Sequence, residues 1–108
     1  MTASRDVVIH VSDAPADVAR AIGSARTLHR FHPDAQIRII VNGPAITGVT
    51  HDAEELSLPE FATVETCEVG MRAHALEPAA LQPGILTTPS AIAALSDAQW
   101  AGAAYIRV

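Results

Sequence analysis

The chain has 108 residues, enough for one domain with a single core. Its net charge is −5 and its seven basic residues are all arginine, scattered along the sequence, so it lacks the basic patch that a nucleic-acid partner requires. It has no run of about 18 apolar residues to span a membrane. Residues 1–6 have no signal-peptide character, and a lone cysteine allows no internal disulfide, so a reducing cytoplasm is the expected location.

Residues 6–11, Asp6-Val7-Val8-Ile9-His10-Val11, form an apolar run typical of a central strand covered on both faces. Ser12 or Asp13 is suited to cap the next helix, with Pro15 in its first turn. Val18, Ile22, Ala25 and Leu28 recur at helical spacing. His29 and His32 near its end are ordinary there, since positive charge complements the dipole. Residues 36–41 read as a second strand closed by the turn Asn42-Gly43-Pro44. Residues 44–46 and 52–56 each suggest a short helical turn, and His51 between them reads as a solvated loop histidine.

A third strand over residues 63–66 leads to Cys67. There the alternation ends and helical spacing begins. A thiol delivered to a helix start, as cap or in the first turn, meets free backbone N–H groups and the positive end of the dipole, which favour thiolate over thiol. The plainer reading is a small buried hydrophobe, as many single cysteines are. At about 100° per residue, Cys67, Gly70, Met71 and His74 share one side. Val69, Ala73 and Leu76 share the other, which is expected to be the core face. Gly70 costs helix stability, so it suggests close approach of a backbone or ligand.

Pro78 and Pro83-Gly84 bracket a loop, and residues 85–87 form a short fourth strand. Thr88 is expected to cap, and Pro89 to open, a helix with Ile92, Leu95 and Ala98 inward. Gly102 stops it, and residues 103–108 read as a last strand. Trp100 and Tyr105 are too isolated to form a stacking platform and are expected at an interface or a core edge.

Strands alternating with helices predict a three-layer α/β/α sandwich on a mainly parallel sheet of about five strands. Ligands of such sheets bind beyond the carboxyl ends of the strands. That rule gathers His10, Ser12, Asn42, Gly43, Cys67 and Thr88 on one rim, with Gly70, Met71 and His74 beside the thiol. Hydrophobic residues make up 49% of the chain and mean hydropathy is +0.23, more than a domain this small can hide. A symmetric homo-oligomer is therefore expected.

Several stretches in order, spread over nearly the whole chain, resemble the DsrE/DsrF-like family of small sulfur-relay proteins. They are Val7 to Val11, Ile39-Ile40-Val41-Asn42-Gly43-Pro44, Val64-Glu65-Thr66-Cys67 with Met71 four residues on, Leu81 to Ile85, Thr88-Pro89-Ser90 through Gln99, and Gly102 to Ile106. The resemblance implies a parallel α/β/α sandwich assembling as trimers or hexamers. It implies sulfane sulfur carried as a persulfide on Cys67, with protein donors and acceptors, and no cofactor. The small residues and Arg-Gly pair that follow the cysteine in sulfur-transferring members are replaced here by Glu68-Val69-Gly70-Met71-Arg72-Ala73-His74. The alternative is a non-enzymatic oligomeric module binding a small anion or soft metal in the same pocket, with Cys67 structural; a metal site of Cys67, His74 and His10 is disfavoured. No C-x-x-C or H-x-x-x-H pair supports such a metal site, Gly43-Pro44 is not a phosphate-loop fingerprint, and a Cys–His hydrolase would need a third orienting group that the sequence does not place.

Overall fold

Runs of β-branched residues build the sheet of this protein, seen in a computed structural model that describes residues 5–108. The strands are β1 (Val7–Val11), β2 (Ile37–Val41), β3 (Ala62–Cys67), β4 (Leu86–Thr88) and β5 (Ala104–Arg107). The helices are α1 (Asp17–Phe31), α2 (Glu68–Ala73) and α3 (Ala91–Trp100), with 3-10 segments at Gly43–Val49 and Pro78–Ala80. The expectation drawn from the amino-terminal residues rests in part on residues 1–4, which lie outside the described part. Among the described residues no helix is long and apolar enough to cross a membrane.

All five strands are parallel, in the order β4-β3-β2-β1-β5. The first three connections step one way across the sheet, and the fourth returns to the far edge. Right-handed crossovers therefore set α1, the first 3-10 segment and α2 on one face and α3 on the other. This is the layered α/β architecture expected, wholly rather than mainly parallel. Pleat alternation sends Ile9, Val11, Ile39, Val41 and Val64 toward the α1 face and Val8, Ile40 and Cys67 toward α3. Apart from Cys67, 6% exposed, every one of them is at most 2% exposed, so the central strands are buried on both sides.

Several local expectations are corrected. Helix α1 starts at Asp17, with Ala16 as an N-cap that makes no side-chain hydrogen bond. Ser12, Asp13 and Pro15 precede it, because the chain first turns beyond the carboxyl end of β1 and Ser12 instead donates to the Asp13 carboxylate. Residues 54–59 hold no helical turn. Buried Gln82 satisfies that stretch instead, its Nε2 donating to the Thr50 and Glu54 carbonyls and its Oε1 accepting from the Leu56 N–H.

Helix α2 is turned the other way from its expected face: Met71 is buried, whereas Val69 is 53% exposed and Ala73 is exposed. The reason lies at Gly70, where a Cβ would collide with the Ile46 side chain. The glycine lets α2 sit down on the first 3-10 segment. In α3 the cap is Ser90, whose hydroxyl accepts from the Ala93 N–H at 3.2 Å. Thr88 is still strand and Pro89 precedes the cap. Ile92 points outward, at 72% exposure, while Ala91, Ala94 and Leu95 face the sheet.

Candidate functional site

Cys67 is the last residue of β3 and the N-cap of α2. Its Sγ accepts the backbone N–H of Ala91, the first residue of α3, at 3.3 Å. One sulfur thus stands at the start of two helices, one beginning at its own backbone and one donating to it from across the sheet. The Ala91 N–H is directed at the sulfur, whereas α2 makes no side-chain cap bond with it. The cost is access. Cys67 is 6% exposed, walled by Thr88, its cross-strand neighbour at 7%, and by Ala91 at 1%.

The other rim residues fall into pairs. The His74 ring Nε2 lies 3.2 Å from the Gly43 carbonyl oxygen, linking α2 to the turn after β2. Gly43 adopts φ +57° there, and a side chain would meet the Ser12 carbonyl. Gly70 and Met71 belong to the packing of α2 rather than to an open face. His10 shares the sheet face of the thiol but lies on β1, two strands from β3, and its ring is engaged elsewhere. Its Nε2 bonds Asn42 Oδ1 at 2.9 Å and its Nδ1 bonds the Tyr105 hydroxyl at 2.7 Å. Ser12 Oγ accepts from Arg107 Nη2 at 2.8 Å, and the same nitrogen reaches Asp13 at 2.6 Å. Tyr105 and Arg107 escaped the sequence reading as site residues, although their spacing of two on the last strand puts both on one face. Among the described residues, no three His, Cys, Asp or Glu side chains gather as a metal site needs.

A further polar pair lies on the same face toward the amino ends of the strands. Arg38 Nε and Nη2 donate to both Glu65 oxygens at 2.8 Å, and the Thr63 hydroxyl donates to Oε2 at 2.7 Å. Burial pushes the Glu65 carboxyl up, but these bonds outweigh it and hold the group below its ordinary value. The pair edges a cavity of about 790 Å³ shared with Val8, Ile37, Phe61 and Ala98. A second, of about 550 Å³, separates α1 from residues 53–57. Neither includes Cys67 in its lining.

No protein-family model matches the chain and no curated protein matches it in sequence. Among solved structures the fold is shared with MTH1491, a protein of unknown function from Methanobacterium thermoautotrophicum, at a TM-score of 0.81 and 20% identity over 95% of this chain and 98% of that one. It is shared also with the ychN protein from E. coli, at a TM-score of 0.71 and 11% identity over 95% and 99%. At these identities the likeness shows a shared fold, the parallel α/β architecture described above.

Proposed function

We propose that the protein is a small oligomeric carrier of sulfane sulfur, loaded as a persulfide on Cys67 and working in a reducing cytoplasm. The observation that supports this reading is the Ala91 N–H at the start of α3, directed at the Cys67 sulfur at 3.3 Å. In the loading step the Cys67 thiolate attacks the outer sulfur of a donor R–S–SH. The donor S–S bond breaks, its electron pair leaves with RS⁻, and Cys67–S–SH forms. In the release step an acceptor thiolate takes that outer sulfur and regenerates the Cys67 thiolate. Burial makes the reading selective, because a thiol 6% exposed is reached by a small hydropolysulfide more readily than by a cysteine fixed on another protein. A protein donor has to displace the turn at residues 89–91.

The same burial supports a second reading, in which Cys67 is a core residue of a module that binds a small anion. Intact mass after incubation with inorganic polysulfide separates the two. A carrier gains one sulfur that a reductant removes, and Cys67→Ser keeps the fold but gains none. A wild-type protein that takes up no sulfur and whose Cys67 alkylates only on unfolding decides for the second reading.

A further inference from the structure

Three strands away from Cys67, about 14 Å at the usual strand spacing, β5 carries the only tyrosine of the chain. The Tyr105 hydroxyl lies 2.7 Å from His10 Nδ1, and His10 Nε2 lies 2.9 Å from Asn42 Oδ1. A carbonyl oxygen can only accept, so Asn42 fixes the proton on Nε2. Nδ1 is left as a free base, and the Tyr105 O–H donates to it. A hydroxyl on a base that a third group orients is the arrangement of an activated nucleophile. The three residues come from β5, β1 and the end of β2, which are far apart in sequence and held in place by the parallel register. Tyr105 is 41% exposed, so its oxygen is open to a reactant.

The neighbouring cation indicates which reactant. Arg107 follows Tyr105 by two residues on one strand, and so projects from the same face roughly 7 Å away. Both of its bonds, to Ser12 and Asp13, leave from Nη2, and the Nε and Nη1 donors have no partner among the described residues. Both guanidinium edges include the engaged Nη2, so these donors act singly, and an Nη1 N–H is left to reach one oxygen of a phosphoryl group.

We infer that Tyr105, with His10 as base, Asn42 as positioning residue and Arg107 as a hydrogen-bond donor to a phosphoryl oxygen, accepts a phosphoryl group from aryl phosphate monoesters. In this step Tyr105 Oη attacks phosphorus and the new O–P bond forms as the P–O(aryl) bond breaks. The broken bond's electron pair leaves on the aryloxide. The tyrosine proton passes to His10 Nδ1, and the imidazolium returns it to the leaving group. No oxidant, reductant or cofactor enters the balance.

The full-length protein with 4-nitrophenyl phosphate is the test. The expected result is a burst of 4-nitrophenolate of at most one equivalent per chain, with one phosphoryl group mapped by peptide mass to Tyr105. His10→Gln slows the burst by roughly a hundredfold or more, the usual worth of a general base. Arg107→Gln raises the half-saturating concentration more than it lowers the limiting rate. Tyr105→Phe abolishes the burst, and His51→Gln, on an exposed loop, leaves it unchanged. Far-ultraviolet circular dichroism checks that each variant is folded, and the peptide map of the wild type stands even where Tyr105→Phe misfolds. Absence of a burst from the wild type, a phosphoryl group mapped elsewhere, or a wild-type rate in folded His10→Gln overturns the inference.

Discussion

Two small residues decide how α2 is held. Gly70 leaves room for Ile46, which is fully buried, and an added methyl has to displace that side chain from a packed core. Helix propensity favours alanine over glycine by about 1 kcal/mol, whereas overpacking costs about 1–3 kcal/mol. Packing wins, so Gly70→Ala is expected to destabilise the protein by about 1 kcal/mol in urea unfolding. Ala75 presents the opposite case. It ends α2 at φ +55°, with the Leu76 N–H returning to the Met71 carbonyl at 2.8 Å. This left-handed position is one that glycine normally takes. Ala75→Gly removes a strain of about 1–2 kcal/mol and adds unfolded-state entropy worth somewhat less. A gain of about 0.5 kcal/mol is expected from the same measurement. A loss on Ala75→Gly would show that the turn carries no strain.

At the scale of elements, the apolar runs were legible because burial on both faces admits few polar residues. All five strands were placed to within one residue at each end, and the turn at Asn42-Gly43 was read as such. The 15-residue α1 showed its inward face through Val18, Ile22 and Ala25. What failed were short pieces whose orientation depends on distant partners. Six residues of α2 make under two turns, so a side-chain period carries little weight there against a contact with Ile46. The loop at residues 54–59 is shaped by Gln82, more than twenty residues on, and nothing local signals that. The Tyr105–His10 pair spans a sequence separation of 95 and becomes visible only once β5 is known to lie beside β1.

Arg38 and Glu65 couple two elements in a way that responds to pH. The folded state depresses the Glu65 carboxyl, so the stabilisation is present above its ordinary value of 4.5 and is lost as pH falls below it. The Arg38 side chain is 39% exposed, and solvent screening cuts the contribution to roughly 1 kcal/mol. Wild type and Glu65→Gln should therefore differ by about that much near neutrality and converge in acid, as read from urea midpoints. A gap that is the same at both pH values would mean that the pair's charge does not contribute.

The whole molecule leaves large apolar side chains uncovered. On the α3 side Ile92 is 72% exposed, Trp100 83% and Leu86 49%, and on the α1 side Phe31 is 69% exposed and Val69 53%. Ile92, Ser96 and Trp100 recur every four residues along α3 and so form one outward stripe. Leu86 stands on the edge strand of the sheet face that α3 covers. Single exposed apolar residues need no explanation, but a helix stripe with a nearby sheet edge is the pattern of a surface that another subunit covers. The proposed trimer or hexamer should appear by light scattering at micromolar concentration. If the α3 stripe makes the contact, Ile92→Asp with Trp100→Asp gives a folded, smaller species, because charges placed there face water in the monomer and lose solvation only at an interface. Phe31→Asp is the matched control on the other face, and dissociation by it alone would assign the contact to α1. A wild-type chain that stays monomeric across the concentration range would defeat the assembly proposal, leaving the stripe as surface that this small domain has no interior to hide.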